Sequence, residues 1–339
     1  IMQAVTGSLS DKAPEAFAQD FKLFSTEIFR PILWTVTFIG LTHFIVVSGV
    51  KEGIERTSKV MMPILFLILL ALCIRSVTLP NASEGLYFLF KPDFSKITSA
   101  VVLSAMGQAF FSLSIGMGCL ITYSSYFSKD TKMQITALQV TILDTLVAVM
   151  AGIMIFPAVF SFGIAPTAGP ELVFITLPNV FQQLPMGAIW SLVFFLLLAL
   201  AALTSTISLH EVATAYVHEE YQITRTKAAW FVSGGVMVLG ILSSLSIGIW
   251  KEYTLFGLTF FDLLDYLTAK IMLPFGGMLI CIYLGNRVDR KILKEELTNK
   301  GTVPFYFFNT YAFFMKYIAP IAIGMIFLNE LGIIQWLMG

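Results

Sequence analysis

Charged residues are scarce in this sequence. Asp, Glu, Lys and Arg make up 12% of its 339 residues, and 21 acidic side chains balance 21 basic ones. A formal net charge of zero gives no basic surface of the kind that indicates a nucleic-acid partner. Hydrophobic residues account for 57% of the sequence, and the mean hydropathy is +0.83. This composition lies outside the usual range of soluble proteins and indicates a membrane protein.

Side chains for catalysis or structural metal binding are also few. The three cysteines lie in apolar segments without metal-ligand spacing, which argues against a disulfide framework and a zinc site. His210 and Glu211 open an HExxH pattern, but Thr214 stands where the second histidine is required. His43 is alone in an apolar segment, and we interpret it as a packed or hydrogen-bonded residue. Without a nucleophile–base pair or a metal cluster, the sequence does not indicate an enzyme.

Long hydrophobic runs are what the sequence has in abundance, and eight of them reach the roughly 20 residues that span a bilayer. They lie near residues 31–50, 59–79, 98–127, 133–160, 187–217, 228–249, 258–285 and 305–334. The connections on one side hold twelve of the 21 Lys and Arg residues, and those on the other side hold seven. The positive-inside rule places the richer side in the cytoplasm and both chain ends outside. An outside N-terminus without a signal peptide predicts further helices upstream of residue 1.

Asp144 is the most costly polar residue within these segments. It lies roughly ten residues, or about 15 Å, into the 133–160 segment. A carboxylate at this depth is either held neutral or paired with another helix, or it binds a cation or a proton. We interpret Asp144 as an ion-binding residue and leave the choice between cation and proton open.

The stretch "LALAALTSTISLHEV" contains a second group of polar residues. Ala201, Thr204, Ser205, Ser208 and Leu209 recur at intervals of three and four residues and therefore share one helix face. Helical Ser and Thr hydroxyls often bond to a carbonyl one turn earlier, which accounts well for a single hydroxyl. Several neighbouring hydroxyls fit better with a hard cation such as Na⁺, which binds several oxygen ligands.

The stretch "SLSIGMGCL" at 112–120 places weak helix formers inside an apolar segment. Ser112 and Ser114 are followed there by Gly116 and Gly118. A helix broken at mid-membrane exposes carbonyls at one end and N–H groups at the other, which is tolerated only where the backbone lines a cavity. A GxG spacing favours such a break over a small-residue packing surface. We therefore predict an unwound link at residues 116–118.

Five stretches resemble, in order, parts of the neurotransmitter:sodium symporter family. They are "SGVKEGIERTSKVMMP" for the turn into helix 5, "MGQAFFSLSIGMGCLITYSSYFSKD" for helix 6, "FITLPNVF" for the fourth extracellular loop, "ALTSTISLHEVATAYVHEE" for helix 8 and "FDLLDYLTAK" for the start of helix 10. The resemblance implies an all-α polytopic membrane protein with the LeuT-type inverted-repeat fold, of which the chain holds helices 4–11 only. Residues 1–97 would hold the end of helix 3, an outer loop and helices 4 and 5. Residues 98–285 would hold helices 6–10 as the second inverted repeat, and residues 286–339 a cytoplasmic linker and helix 11.

The resemblance also implies roles for individual residues. Ser112 and Asp144 match side-chain ligands of a first sodium site. The residues that match the second sodium site are Ala201, Thr204 and Ser205. The residues that match the substrate pocket are Phe111, Ser114, Met117, Ser205 and Leu209.

The gates and helix breaks of the family have counterparts as well. Asp265 matches the acidic half of the outer gate, and Tyr126 and Glu219 match parts of the inner gate. Gly53 and Pro63 match a motif at which helix 5 unwinds, and Gly116 and Gly118 match the break in helix 6.

The function that the resemblance implies is sodium-coupled symport of a neutral hydrophobic or aromatic L-amino acid across the bacterial inner membrane. Two Na⁺ ions are expected and no chloride, because the Asp144 carboxylate would offset the charge of bound sodium. The expected partners are an amino-acid substrate, the lipid bilayer and the missing N-terminal helices, which another chain would supply if the transporter is split. Two alternatives stay open, namely a non-transporting fragment or half-transporter and a proton-coupled exchanger that uses Asp144.

Overall fold

The computed structural model describes residues 14–128, 130–162 and 172–334, and most of them are helical. Within these ranges the only β pairing is an isolated antiparallel bridge between Leu255 and Leu258. The predicted all-α class is therefore confirmed. The predicted end of helix 3 and part of the predicted outer loop 161–186 lie outside the described residues.

The chain divides into two compact units. The first comprises Ile1–Pro92 and Leu146–Phe261, and the second comprises Asp93–Thr145 and Asp262–Gly339. Two helices, Met133–Ser161 and Phe260–Asp265, run across these boundaries in the sequence. The predicted inverted repeats are an internal symmetry that this division does not test, and they stay a prediction.

The helices of the two units have the following bounds. In the first unit the α-helices are Pro14–Thr26, Phe29–Val47, Arg56–Val77, Ala82–Phe90, Leu177–Gln182, Gly187–Glu220 and Arg225–Ile247, with π-helical turns at Val50–Glu55 and Leu172–Thr176. In the second unit they are Ser99–Ser112, Cys119–Ser125, Leu273–Asn286, Arg290–Leu297, Phe308–Phe313 and Ala319–Glu330, with π-helical turns at Tyr266–Met272 and Phe314–Ile318 and a 3₁₀ turn at Phe94–Lys96.

Seven helices of the described chain are long and apolar enough to cross a membrane. They are Phe29–Val47, Val50–Val77, Met133–Ser161, Gly187–Glu220, Arg225–Ile247, Phe260–Asn286 and Phe308–Glu330. Each corresponds to one of the eight predicted segments. The eighth predicted segment, 98–127, contains two helices that are each too short to span, Ser99–Ser112 and Cys119–Ser125.

Polar caps and prolines fix where several helices begin. The Thr224 hydroxyl accepts a hydrogen bond from the Lys227 N–H at 3.4 Å, and the Asp289 carboxylate accepts one from the Lys291 N–H at 2.8 Å. Such caps satisfy N–H groups that have no partner inside the helix. Pro274 marks the point at which the π-helical turn Tyr266–Met272 passes into the α-helix Leu273–Asn286, because it has no N–H to donate to the preceding turn.

Each unit has its own apolar core. The core of the first unit includes the fully buried residues Val159, Leu177, Val180 and Phe194. In the second unit, the core cluster consists of Phe110, Leu273, Cys281, Ile323 and Ile326. The cores join segments that are far apart in sequence, so they hold membrane helices together by side-chain packing.

Large apolar side chains also cover the outside of the membrane helices. Leu67, Leu138 and Phe231 are 63%, 61% and 73% exposed. A soluble protein rarely shows so much continuous apolar surface, whereas lipid tails solvate it without penalty. The exposed surface therefore agrees with a bilayer environment.

Candidate functional site

One predicted membrane segment of the second unit is divided into two half-helices. Ser99–Ser112 begins after Thr98, whose hydroxyl accepts a hydrogen bond from the Val101 N–H at 3.3 Å. It ends after 14 residues, and Cys119–Ser125 begins beyond a non-helical link at residues 113–118. We call the two half-helices and their link the broken helix. The link is twice as long as the stretch predicted from the GxG spacing.

The first half-helix ends in a Schellman motif. The Ile115 N–H donates to the Phe110 carbonyl at 3.1 Å, and the Ser114 N–H donates to the Phe111 carbonyl at 3.0 Å. Ser114 has φ +55°, a left-handed conformation that glycine normally supplies in this motif. Ile115 packs against the same cluster as buried Phe110, which is the apolar contact that accompanies the motif. The strained Ser114 thus turns the backbone out of the helix.

Two glycines complete the link. Gly116 has φ +88°, and Gly118, with φ +83°, is the N-cap of the second half-helix. A Cβ atom on Gly116 would collide with the backbone carbonyl oxygen of Leu273. Glycine is therefore required at position 116 both by the backbone angle and by the close approach of another helix.

Ser112 and Asp144 lie in direct contact. The Ser112 hydroxyl donates to both carboxylate oxygens, to Oδ1 at 2.8 Å and to Oδ2 at 2.9 Å. Ser112 is the last residue of its half-helix, and half-buried Asp144 lies near the middle of Met133–Ser161. Among the described residues, no Lys, Arg or His forms an ion pair with Asp144.

This contact leaves oxygen lone pairs available beside a negative charge. The Ser112 hydroxyl uses its only proton on the carboxylate, so its own lone pairs stay free for a cation. Carboxylate and hydroxyl oxygens are hard ligands that suit a hard cation. The residues present therefore fit Na⁺, and Asp144 would supply the charge that neutralises it.

The predicted second sodium site lies on helix Gly187–Glu220, which we call the long helix. The Thr204 hydroxyl donates to the Ala201 carbonyl at 2.8 Å, and the Ser208 hydroxyl donates to the Thr204 carbonyl at 3.0 Å. Bonding back to the helix therefore does account for these two hydroxyl protons. The Thr204 hydroxyl keeps its lone pairs for a cation, and the exposed Ser205 side chain follows it on the same helix. Two of the three predicted ligand oxygens are thus already adjacent.

The predicted substrate residues differ in their surroundings. Phe111 is 51% exposed and Leu209 is 50% exposed. Met117 is half-buried and packs against the core cluster of the second unit. Ser114 and Met117 both belong to the link of the broken helix, so their side chains are positioned by its irregular backbone.

The predicted gate residues all lie near helix ends. Asp265 is exposed and lies in the second turn of the spanning helix Phe260–Asn286, just before its π-helical turn. Tyr126 follows the second half-helix as its C-cap and is 37% exposed. Glu219 lies exposed near the end of the long helix, whose 34 residues extend about 50 Å and outrun the hydrocarbon core.

The segment between Gly53 and Pro63 is wound in this structure, where the resemblance implies a stretch that unwinds. Residues Val50–Glu55 form a π-helical turn, and Arg56–Val77 continues as an α-helix through Pro63. A Cβ atom on buried Gly53 would collide with the Ile45 carbonyl oxygen. Pro63 has no N–H to donate to the preceding turn, which weakens the helix at that point.

A buried polar group in the first unit was not predicted as such. Glu211 is fully buried and forms a bidentate ion pair with Arg225, whose Nη2 also donates to the Val46 carbonyl at 3.2 Å. His43 and His210 both bond to Ser233, which confirms the interpretation of His43 as a hydrogen-bonded residue. The available signal was Glu211 itself, because an acidic residue inside a predicted membrane segment requires a partner.

The family model of the "Sodium:neurotransmitter symporter family" matches residues 6–337. The chain belongs to this family. The symporter chain is 38% identical to the sodium-dependent transporter YhdH of Bacillus subtilis (strain 168), with 99% of the chain and 74% of the relative aligned. It is 39% identical over 301 residues to a sodium-dependent transporter of Haemophilus influenzae, which covers 88% of the chain and 65% of that relative.

A solved structure gives the same result for the fold. The crystal structure of MhsT in complex with L-phenylalanine aligns with a TM-score of 0.86 and 42% identity, over 97% of this symporter chain and 74% of MhsT. The chain thus spans about three quarters of the length of YhdH and of MhsT.

These similarities confirm the predicted family, its fold and a multi-pass location in the bacterial cell membrane. They also establish a sodium-dependent transporter and not an enzyme. The individual ligand, substrate and gate residues stay predictions.

Proposed function

We propose that this chain contributes to the symport of Na⁺ and a neutral hydrophobic or aromatic L-amino acid across the bacterial inner membrane. The observation that carries the proposal is the contact between Ser112 and Asp144 at the end of a half-helix. It combines a membrane-depth carboxylate, a hydroxyl and an interrupted backbone, which is the combination that binds ions in transporters with discontinuous helices.

Two sodium sites are proposed, in agreement with the resemblance. Ser112 and Asp144 would bind the first ion. The ligands of the second would be Ala201, Thr204 and Ser205, whose carbonyl and hydroxyl oxygens are uncharged hard donors. Na⁺ binding is thereby linked to the conformation of both the broken helix and the long helix. A ligand that binds one conformation better shifts the population toward it, which is how sodium would favour the substrate-accepting state.

The proposed substrate class follows from the chemistry of the predicted pocket residues. Phe111, Met117 and Leu209 are apolar, and Ser114 and Ser205 are uncharged, so none of them would pair with a charged substrate side chain. Met117 has an unbranched, adaptable side chain that accepts ligands of different bulk. The L-phenylalanine named with MhsT, to which this chain is 42% identical, supports a substrate of this class.

Chloride independence is proposed for the same reason that makes Asp144 a sodium ligand. Its negative charge would compensate the first sodium ion without an added anion. The Asp144 carboxylate also keeps a proton-coupled exchanger as the second candidate function, because carboxylates at membrane depth serve proton relays as well as cation sites.

Further ligands are expected from helices 1–3 of the family fold, so transport is best assayed with those helices present. We define the chimaera as the first three helices of YhdH joined to residue 1 of this chain. The chimaera should be reconstituted in liposomes with a sodium gradient, and uptake of labelled L-phenylalanine should be competed with a panel of amino acids. Leu, Phe, Tyr and Trp should compete strongly, whereas Asp, Glu, Lys and Arg should not. Strong competition by a charged amino acid would contradict the proposed substrate class.

A further inference from the structure

Five polar side chains from three helices of the first unit form two hydrogen-bonded groups, a threonine pair and a pair of histidines joined by a serine. The Thr42 and Thr206 hydroxyls lie 3.1 Å apart. Ser233 Oγ lies 2.7 Å from His43 Nδ1 and 2.7 Å from His210 Nε2. We call Thr42, His43, Thr206, His210 and Ser233 the polar clamp.

Four of the five clamp side chains are buried, and Thr206 is half-buried. Thr42, His43, His210 and Ser233 are all at most 5% exposed. Ser233 carries one hydroxyl proton, so it donates a hydrogen bond to one imidazole and accepts an N–H from the other. The single hydroxyl thus connects the two rings. The far nitrogen of His210, Nδ1, lies 3.0 Å from the Thr214 hydroxyl. A buried network in which every member has a partner specifies one arrangement of its helices.

The polar clamp and the proposed sodium ligands lie on opposite faces of the long helix. Thr206 and His210 are four residues apart and share a face. At 100° per residue, the face that carries Ala201, Thr204 and Ser205 is displaced from theirs by about 170°. Fixing the first face against helices Phe29–Val47 and Arg225–Ile247 therefore fixes the direction of the second.

Interhelical hydrogen bonds add directional contacts to the van der Waals packing that holds membrane helices together. The long helix is apolar on most of its surface. The Glu211–Arg225 ion pair and a tilted ring contact between His43 and Trp230, with ring centroids 4.1 Å apart, lie at the same interface. The clamp hydroxyls and imidazoles thus supply directional contacts that a rotated helix would lose.

We propose that Ser233 is a positioning residue for the second sodium site. Through His210 it fixes the rotation of the long helix, and Thr42 does the same through Thr206 next to Ser205. This inference rests on the proposed function, because it takes Ala201, Thr204 and Ser205 as sodium ligands.

The test uses the chimaera and measures the sodium concentration that gives half-maximal uptake. Ser233→Ala removes the hydroxyl that joins both imidazoles, and Thr206→Val removes the contact to Thr42 with almost no change of shape. Each should raise the half-activating sodium concentration about tenfold, with an unchanged amount of folded protein by size-exclusion chromatography. Ser246→Ala is the matched control, because Ser246 is an equally buried serine of the same helix that bonds to the Phe261 N–H at 3.0 Å. It should leave sodium activation unchanged.

A double-mutant cycle separates positioning from general stability. If Ser233 acts through the sodium ligands, Ser233→Ala should add little to the effect of Thr204→Ala, since the ligand that it positions is gone. Additive effects, or a Ser233→Ala variant with normal sodium activation, would contradict the proposed positioning role of Ser233. If Thr204→Ala itself left sodium activation unchanged, the proposed second sodium site would fail, and the clamp would fail with it.

Discussion

At the scale of single residues, the membrane environment made the important positions visible in the sequence. Asp144 stands out because a carboxylate is costly at that depth, and the structure brings the Ser112 hydroxyl to it. The Glu211–Arg225 pair was not predicted, because Arg225 lies in a connection where its charge needs no explanation. A charged residue inside an apolar segment is thus easier to identify from the sequence than its partner is. The partner depends on how separate helices pack.

Asp144→Asn in the chimaera should weaken sodium activation at least tenfold, because the substitution removes the negative charge and keeps the shape. Sodium-driven uptake by the unmutated chimaera should be the same in chloride and in gluconate. Thr141→Val serves as the control, since Thr141 lies one turn away and its hydroxyl donates to the Ala137 carbonyl at 3.0 Å. A chloride requirement, or normal sodium activation in the Asn variant, would show that Asp144 is not the charged ligand.

Met117→Phe should reduce the affinity for Trp more than the affinity for Leu. Phenylalanine is more rigid than methionine and would take up space that a large substrate needs. The measurement is competition by Trp and by Leu against labelled L-phenylalanine uptake in the chimaera. Because Met117 also packs against the core cluster, the alternative is a purely structural role, and equal losses for both competitors would favour it.

At the scale of elements, the broken helix shows which features of a helix can be predicted from the local sequence. Gly116 and Gly118 predicted an interruption, and both adopt positive φ angles. The link nevertheless begins at residue 113, because Ser114 adopts the left-handed conformation in a Schellman motif. Serine rarely does so, and the conformation is held by Ile115 packing on the core beside Phe110. Tertiary contacts of this kind are not readable from residue spacing.

Gly116→Ala should destabilise the protein by about 2 kcal/mol and abolish most of the uptake. The new Cβ atom meets an unfavourable φ of +88° and the carbonyl oxygen of Leu273. Thermal unfolding of the purified chimaera gives the first value, and uptake gives the second. Gly107→Ala on the same half-helix is the control, because its Cβ atom would have only ordinary contacts at 3.6 Å. Similar behaviour of the two variants would mean that the link tolerates a side chain.

At the scale of the whole molecule, hydropathy predicted the membrane helices well. For the long helix, residues 187–217 were predicted and Gly187–Glu220 is observed. The agreement has a physical cause, since the bilayer imposes both a length and an apolar composition on each span. The division into two compact units was not predicted, because it depends on contacts between residues far apart in sequence.

The 339 residues alone should not transport amino acids. Each proposed sodium site has only part of an oxygen shell among them, and the chain spans 74% of the length of YhdH and of MhsT. Liposomes with the 339-residue chain should show no sodium-driven uptake above empty liposomes, whereas liposomes with the chimaera should. Robust uptake by the chain alone would contradict this expectation, and an inactive chimaera would contradict the assignment of its helices.

Sodium, and not the proton, is expected to drive amino-acid uptake through the proposed site that contains Asp144. Initial rates of L-phenylalanine uptake by the chimaera should be measured with an inward gradient of either Na⁺ or H⁺, with choline replacing sodium in the second case. We expect fast uptake with sodium, a rate near the empty-liposome background with the proton gradient alone, and loss of the sodium response in Asp144→Asn. Proton-driven uptake in sodium-free buffer that Asp144→Asn abolishes would contradict it.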